Sequence, residues 1–171
     1  MLEPEIRPRP ARLDDLPRLT EIYNHYVLTT AITFDVEPVT VEGRRGWFDE
    51  HAPKGRHRLL VADYDGVVLG YASSSQFRAK PAYETSVELS VYLAPEHTGY
   101  GAGSLLYRQL LDELDGADVH RVYAGVCLPN EASVRLHRSL GFQSVGVYRE
   151  VGRKFGRYWD VQWFERGVGT P

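Results

Sequence analysis

The stretch from residue 85 to residue 106 most restricts the fold, because it reads as a strand, a glycine-rich turn and a helix in direct succession. Apolar residues first alternate with polar ones, which is the period of a strand with one buried face, and Pro95 ends the alternation. Three alternate glycines and an apolar stripe of helical period follow. In chain order these are Val87, Leu89, Val91 and Leu93, then Gly99, Gly101 and Gly103, then Leu105, Leu106, Leu110, Leu111 and Leu114.

A glycine loop that opens a helix exposes backbone N–H groups and can bind a phosphate or pyrophosphate. Two common phosphate loops are excluded by spacing. A Walker-type loop needs Gly-Lys-Ser/Thr, but Ser104 directly follows Gly103, and a dinucleotide fingerprint from Gly99 or Gly101 would need glycine at position 104 or 106. From the loop alone, a merely flexible turn remains the alternative.

Length and charge limit the function classes. With 171 residues the chain is expected to be one domain with a sizeable core. A net charge of −3 argues against a nucleic-acid partner, so a polyanionic ligand must be held by local dipoles and a few arginines. The single cysteine, Cys127, is expected to be a core thiol. No secretory leader or membrane span is predicted, and the cytoplasm is the expected location.

The remaining pattern predicts strands and helices in mixed order. Strands that first pair in a hairpin and are then separated by helices imply a mixed sheet covered on both faces. The long connection Leu28–Val39 is a candidate wall of a site. The predicted elements are an edge strand near Glu5–Ala11, a helix capped by Asp14 or Asp15, a helix from Thr40 to before Pro53, hairpin strands Arg58–Tyr64 and Val67–Ser73 joined at Asp65-Gly66, a polar bridge Ser74–Glu84, a helix Gly101–Leu114, a strand Arg121–Leu128, a helix from Pro129-Asn130 to Gly141, and strands Gln143–Glu150 and Arg157–Glu165.

Two segments resemble the signatures of the GNAT superfamily of acetyl-CoA-dependent N-acetyltransferases. They are Thr98-Gly99-Tyr100-Gly101-Ala102-Gly103 and the helix from Asn130 to Gly141-Phe142. Thr98 stands where most members have Gln or Arg, and His137 stands where most have tyrosine. The resemblance implies an α/β fold with a mixed, mostly antiparallel central sheet and helices on both faces, in one domain spanning residues 1–171.

Further matches resemble one branch of that superfamily, the phosphinothricin and methionine-sulfoximine acetyltransferases. They spread over nearly the whole chain. The matching segments are Asn24-His25-Tyr26, Glu88-x-Ser90-Val91-Tyr92, Leu128-Pro129-Asn130, Ser133-Val134-Arg135-Leu136-His137, Lys154-x-Gly156 and Asp160-Val161.

The chemistry needs a base, because an ammonium has no lone pair and α-amino groups titrate near ~8. The resemblance implies that Glu88 is this base and that backbone N–H groups at Val91–Leu93 stabilise the oxyanion. It leaves His137 as a proton donor or cation for the leaving thiolate. The alternatives are an exposed strand carboxylate for Glu88 and a packed helix-edge histidine for His137, while His25 and His97 are expected to be non-catalytic.

The resemblance also implies the binding residues. Arg78 is the first choice for a carboxylate, since its guanidinium can bind bidentately. The predicted substrate residues are Arg78, Lys80, Tyr83 and Phe34, and the predicted acetyl-CoA residues are Val91, Tyr92, Leu93, Thr98, Gly99, Tyr100, Gly101, Ala102, Gly103, Ser104, Asn130 and Ser133. No metal is expected. A homodimer is expected, with Tyr158–Phe164 as interface or, alternatively, as core.

The leading hypothesis is direct acetylation of the α-amino group of phosphinothricin, methionine sulfoximine or methionine sulfone. A second hypothesis keeps the reaction but takes a polyamine, an aminoglycoside or a protein N-terminus as acceptor. The basic segment around Arg78 and Lys80 disfavours these cationic acceptors. A third hypothesis is a non-catalytic acyl-CoA-binding domain, which Thr98 favours and which Glu88, Asn130 and His137 disfavour.

Overall fold

A computed structural model describes residues 5–169 and shows four helices and seven strands in these residues. The bounds are β1 Arg7–Pro10, α1 Leu16–Thr29, α2 Arg45–Asp49, β2 Leu59–Tyr64, β3 Val67–Gln76, β4 Ser86–Leu93, α3 Ala102–Leu114, β5 Arg121–Cys127, α4 Glu131–Ser139, β6 Gln143–Lys154 and β7 Arg157–Gly167. Short 3-10 turns occupy Leu13–Asp15, Pro81–Tyr83 and Pro95–His97.

The seven strands form one sheet in the order β1-β2-β3-β4-β5-β7-β6. Every neighbouring pair is antiparallel except β4 and β5, which are parallel. This confirms the prediction of a mixed, mostly antiparallel sheet. The proline-containing β1 lies at one edge, as predicted, where a strand needs no second ladder of hydrogen bonds.

Each face of the sheet has its own hydrophobic core. On one face α3 buries its apolar stripe, including Leu106 and Leu110, against Val87 and Leu89 of β4. On the other face Leu19 and Ile22 of α1 join a second cluster. Successive side chains of β4 point to opposite faces of the sheet, so the strand contributes side chains to both cores. Glu88 therefore points to the face opposite Leu89. No helix within residues 5–169 is long and apolar enough to cross a bilayer.

Turn chemistry explains the two hairpins. Asp65 and Gly66 both have positive φ, 50° and 84°, as the predicted two-residue turn between β2 and β3 requires. Phe155 and Gly156 have φ of 54° and 70° and join β6 to β7 in the same way.

Several predicted bounds were wrong. The helix expected from Thr40 is only Arg45–Asp49, preceded by a turn, and β6 runs four residues beyond Glu150. Asp15 is at the N-cap position of α1 but does not cap it, because its carboxylate accepts hydrogen bonds from the Arg12 backbone N–H at 2.7 Å and from Arg9 at 2.8 Å.

Candidate active site

The site begins where β4 and β5 separate. Their parallel pairing covers only Ser86, Val87 and Glu88, opposite Arg121–Tyr123. Beyond Glu88, β4 continues to Leu93 paired with β3 alone. One edge of β4 from residue 89 onward is therefore open, and its backbone groups can bind a ligand lying between the two strands.

A cavity of about 340 Å³ lies beside this point, and we call it the acceptor cavity. Its walls are mostly apolar and aromatic, with one carboxylate and one guanidinium, which is the usual character of a small-molecule site. Trp163 covers Gly125, where a Cβ atom would lie 3.2 Å from the indole ring. The lining residues are Ile32, Phe34, Arg78, Glu88, Gly125, Cys127, Tyr148, Val151, Val161 and Trp163.

Glu88 and Arg78 bring opposite charges to the acceptor cavity. Burial raises the pKa of the Glu88 carboxyl, and the nearby Arg78 guanidinium opposes part of that rise. A carboxylate whose pKa moves toward neutrality is a better acceptor for the proton of an ammonium at pH 7. Arg78 itself is exposed and lies over the Phe77 ring, 4.8 Å from its centroid, so its guanidinium is oriented by an aromatic face.

The glycine loop leads into α3 as predicted. Gly99 and Gly101 have φ of 85° and 80°, and a Cβ on either would meet no heavy atom within 4 Å. No side chain caps the first turn of α3, which begins at Ala102, so no capping side chain takes up its N–H groups. This geometry fits the pyrophosphate of coenzyme A. Thr98 contributes little to it, because its hydroxyl donates to the Pro95 carbonyl at 3.3 Å.

A side chain of α1 makes a hydrogen bond to the backbone of Leu93. The Tyr26 hydroxyl of α1 donates a hydrogen bond to the Leu93 carbonyl. The ring of Tyr92 packs against two other tyrosine rings, with its centroid 5.4 Å from that of Tyr26 and 5.6 Å from that of Tyr71. Tyr92 can therefore serve a cofactor only through its backbone.

The α4 helix begins as its sequence predicts. Asn130 is the N-cap, and its side-chain oxygen accepts a hydrogen bond from the Ser133 N–H at 3.2 Å. Ser133 is half-buried on the helix side that carries His137.

His137 is in the core, with 2% of its surface exposed. Its ring stacks on Phe164 at 5.4 Å and meets the edges of Tyr107 and Phe142, while Nδ1 lies 2.7 Å from the Ser133 carbonyl. Burial lowers its pKa and thereby favours the neutral ring. These contacts favour the packed histidine over the predicted proton donor.

The structure separates the predicted substrate residues. Arg78 and Phe34 line the acceptor cavity, whereas Lys80 and Tyr83 are exposed and do not line it. Cys127 is 8% exposed and contributes to the wall, and burial raises the pKa of its thiol. His25 and His97 also lie outside the cavity lining.

The wall formed by the C-terminal hairpin was not predicted from the sequence. Trp163, Val161, Tyr148 and Val151 enter the cavity from β6 and β7, and only the aromatic richness of Tyr158–Phe164 had suggested a surface there. A larger cavity of about 930 Å³, between α4 and this hairpin, contains neither Glu88 nor Arg78. Residues 5–169 show no cluster of three or more potential metal ligands.

The chain is similar to known proteins over most of its length. Residues 9–163 match the model of the acetyltransferase (GNAT) domain family. A phosphinothricin N-acetyltransferase of Streptomyces coelicolor is 58% identical over 164 residues, covering 95% of this chain and 96% of that protein. An L-methionine sulfoximine/L-methionine sulfone acetyltransferase of Salmonella typhimurium is 39% identical, covering 88% of each chain. A phosphinothricin acetyltransferase of Sinorhizobium meliloti, crystallised with acetyl-CoA, superimposes with a TM-score of 0.91 at 33% identity, covering 96% of this chain and 89% of that one.

Proposed function

Because the chain belongs to the GNAT acetyltransferase family, we propose that it transfers the acetyl group of acetyl-CoA to the α-amino group of a small amino acid analogue. Phosphinothricin, methionine sulfoximine and methionine sulfone are the acceptors proposed, in line with the names of its relatives. The observation that carries the proposal is the presence of Glu88 and Arg78 in one apolar cavity, where β4 and β5 separate.

Binding of the acceptor follows from the charges. Arg78 would hold the carboxylate through its planar fork of N–H donors. The apolar walls, including Phe34 and Trp163, would take the side chain. Since the cavity offers one guanidinium and one carboxylate, it suits a zwitterion better than a polycation such as spermidine.

Glu88 would act as the general base, directly or through one water molecule. Its carboxylate would take a proton from the bound ammonium, and the resulting lone pair would attack the thioester carbonyl carbon. As the N–C bond forms, the C–S bond would break, and coenzyme A would leave as a thiolate that takes a proton from water. Backbone N–H groups at the open edge of β4, within Val91–Leu93, would stabilise the oxyanion that develops. We assign His137 no part in protonating the thiolate, because its ring faces the core.

Acetyl-CoA supplies the acetyl thioester when it is bound. The N–H groups of the glycine loop and the first turn of α3, from Thr98 to Ser104, would hold the pyrophosphate. Asn130 and Ser133 lie at the start of α4 and would border the rest of the coenzyme. Cys127 is not needed as an acetyl carrier in this direct transfer.

We also propose a single domain, a homodimer and a cytoplasmic location. The dimer is supported by β6, an edge strand of twelve residues that is exposed along most of its length. Val145, Val147, Tyr148 and Val151 on it are 39–57% exposed, which is unusual for apolar side chains on an unpaired edge.

The test of the reaction is thiol release from acetyl-CoA with a panel of acceptors. Saturable turnover is expected with phosphinothricin, methionine sulfoximine and methionine sulfone, and little turnover with spermidine or an aminoglycoside. Arg78→Gln should raise the KM of the amino acid acceptors about tenfold or more, because the carboxylate loses a charged hydrogen-bond partner. Lys80→Gln is the matched control, since Lys80 does not line the cavity. Turnover with spermidine alone would contradict the proposal.

A further inference from the structure

A buried lysine that is not among the lining residues of the acceptor cavity joins two segments that wall it. Lys154 is 4% exposed, and its Nζ donates a 2.9 Å hydrogen bond to the Thr33 carbonyl, 121 residues away in sequence. Thr33 belongs to the connection of residues 30–39, which we call the Phe34 loop. A lysine ammonium is rarely buried without a specific partner, because leaving water is costly. The contact therefore points to a role that an exposed lysine could not fill.

The hairpin reaches this loop because β6 is bent. Tyr148 pairs with Val161, and Gly152 pairs with Trp159, so residues 149–151 face Asp160 alone. Such a bulge bends a strand and increases its twist. The bend is held by a 2.7 Å hydrogen bond from the Glu150 N–H to the Asp160 carboxylate, with Glu150 at φ 52°. We call the segment beyond the bulge, residues 152–157, the distal hairpin.

The distal hairpin also fits the side chain that walls the cavity. A Cβ atom at Gly152 would lie 2.1 Å from Cε2 and 2.3 Å from Cζ of Phe34. The Phe34 ring therefore packs against the bare backbone of Gly152. A side chain at position 152 and a ring in this position exclude one another.

The other end of the Phe34 loop is fixed independently. The Asn24 side chain makes two hydrogen bonds of 2.8 Å to the backbone N–H and C=O of Val39. Thr33, in contrast, is held by Lys154 from the hairpin and by the Tyr23 hydroxyl at 2.9 Å from α1. Besides the packing of Phe34 on Gly152, the hydrogen bond from Lys154 thus couples the hairpin wall of the cavity to the wall formed by Ile32 and Phe34.

From these contacts we infer that Lys154 is a positioning residue for the acceptor: it fixes the Phe34 loop against the distal hairpin and so sets the width of the acceptor cavity. The kinetic part of this inference rests on the proposed function. Lys154 touches neither Glu88 nor the glycine loop in the contacts described, so its effect should fall on acceptor binding and spare the coenzyme.

The kinetic test compares Lys154→Met with Lys54→Met, which removes an exposed lysine that does not line the cavity. Lys154→Met keeps an apolar stem but loses the donor to Thr33. The KM of the amino acid acceptor should rise about tenfold, as for loss of one charge-assisted hydrogen bond, while the KM of acetyl-CoA stays within about twofold. An unchanged acceptor KM, or equal losses for both substrates, would overturn the inference.

A second pair of variants tests the same wall if Lys154→Met folds poorly. Gly152→Ala should raise the acceptor KM because its methyl group displaces the Phe34 ring. In a Phe34→Ala background the same substitution should have almost no further effect, since the ring it displaces is gone. Equal effects in the two backgrounds would refute the role of this contact.

Hydrogen exchange separates this inference from the proposed reaction. Amides of residues 32–36 should exchange at least tenfold faster in Lys154→Met than in the Lys54→Met control, whatever substrate the protein uses. If the wild-type protein acetylates no amino acid analogue but exchange accelerates, the proposed acceptor fails and the coupling stands. If the analogues are acetylated but exchange is unchanged, the coupling fails and the reaction stands.

Discussion

Gly70→Ala is the substitution whose outcome the geometry determines most closely. Gly70 of β3 pairs with Leu93, the last residue of β4. A Cβ atom at position 70 would lie 2.6 Å from the Tyr92 carbonyl oxygen and 2.5 Å from a methyl group of Leu93. The first of these atoms is backbone, so relief requires β3 and β4 to move apart at the segment proposed to stabilise the oxyanion.

The expected cost is that of overpacking. Forcing one methyl group into a filled site typically costs about 1–3 kcal/mol. For a chain of this size each kcal/mol lowers Tm by roughly 2–4 °C, so Tm should fall by about 2–12 °C. The control is Gly46→Ala in α2, where a Cβ would meet nothing within 4 Å. Because alanine favours a helix, that variant should gain up to about 1 kcal/mol.

The two assays are thermal unfolding and steady-state kinetics. Gly70→Ala should lose stability and also raise the KM of acetyl-CoA or lower kcat, because the end of β4 has moved. A Gly70→Ala variant as stable as the wild type, with unchanged kinetics, would show that the strands accommodate the methyl group. Such a result would refute the claim that the close approach of β3 and β4 at Gly70 positions the end of β4.

Three further predictions concern His137 and Arg9. His137→Phe should lower kcat by less than tenfold, and a loss of a hundredfold would restore His137 as proton donor. Burial lowers the pKa of His137, so the unfolded chain binds a proton more readily below about pH 6.5 and stability falls as the pH drops from there. In urea unfolding, His137→Phe should lose less free energy of unfolding than the wild type between pH 7 and pH 5. An equal dependence of this free energy on pH in both proteins would contradict the prediction. Arg9→Met removes the ion pairs to Asp15 and Asp63, both at 2.8 Å, and should cost about 2 kcal/mol at pH 7. Burial would raise the pKa of Asp15, but the hydrogen bonds and charges of Arg9 and Arg12 together outweigh it and lower that pKa. For Asp63 the hydrogen bond from Arg9 is the main cause of the lowered pKa. The difference in free energy of unfolding between the wild type and Arg9→Met should therefore shrink as the pH falls below about 4. A difference that stays constant down to pH 3 would contradict this prediction.

Local patterns predicted most of the fold because each depends on near neighbours in sequence. The alternation in β4, the glycine loop before α3 and the Asn130 cap all follow from period and turn chemistry. The same holds for the Asp65-Gly66 hairpin. The sheet class could be predicted from element order for the same reason.

The site was harder to predict because its walls come from distant parts of the chain. Glu88 and Arg78 are near one another in sequence, but Trp163 reaches the cavity only because β7 pairs with β5. The bulge at residues 149–151 has no strong pattern in the sequence, so the contact of Lys154 with Thr33 could not be foreseen. For His137 the sequence left two alternatives open, a proton donor and a packed histidine. Its helical position was clear, but only packing against Phe164 shows which way the ring faces.

The most direct test of the central claim is the pH dependence of kcat/KM for the acceptor in wild-type protein and in Glu88→Gln. Burial raises the pKa of the Glu88 carboxyl, so wild-type activity should fall as the pH drops through that raised pKa and Glu88 becomes protonated. Glu88→Gln should lower kcat/KM at pH 7 by about 10²–10⁴ and remove this acidic limb. Full activity in Glu88→Gln with an unchanged pH profile would contradict the assignment of Glu88 as the base.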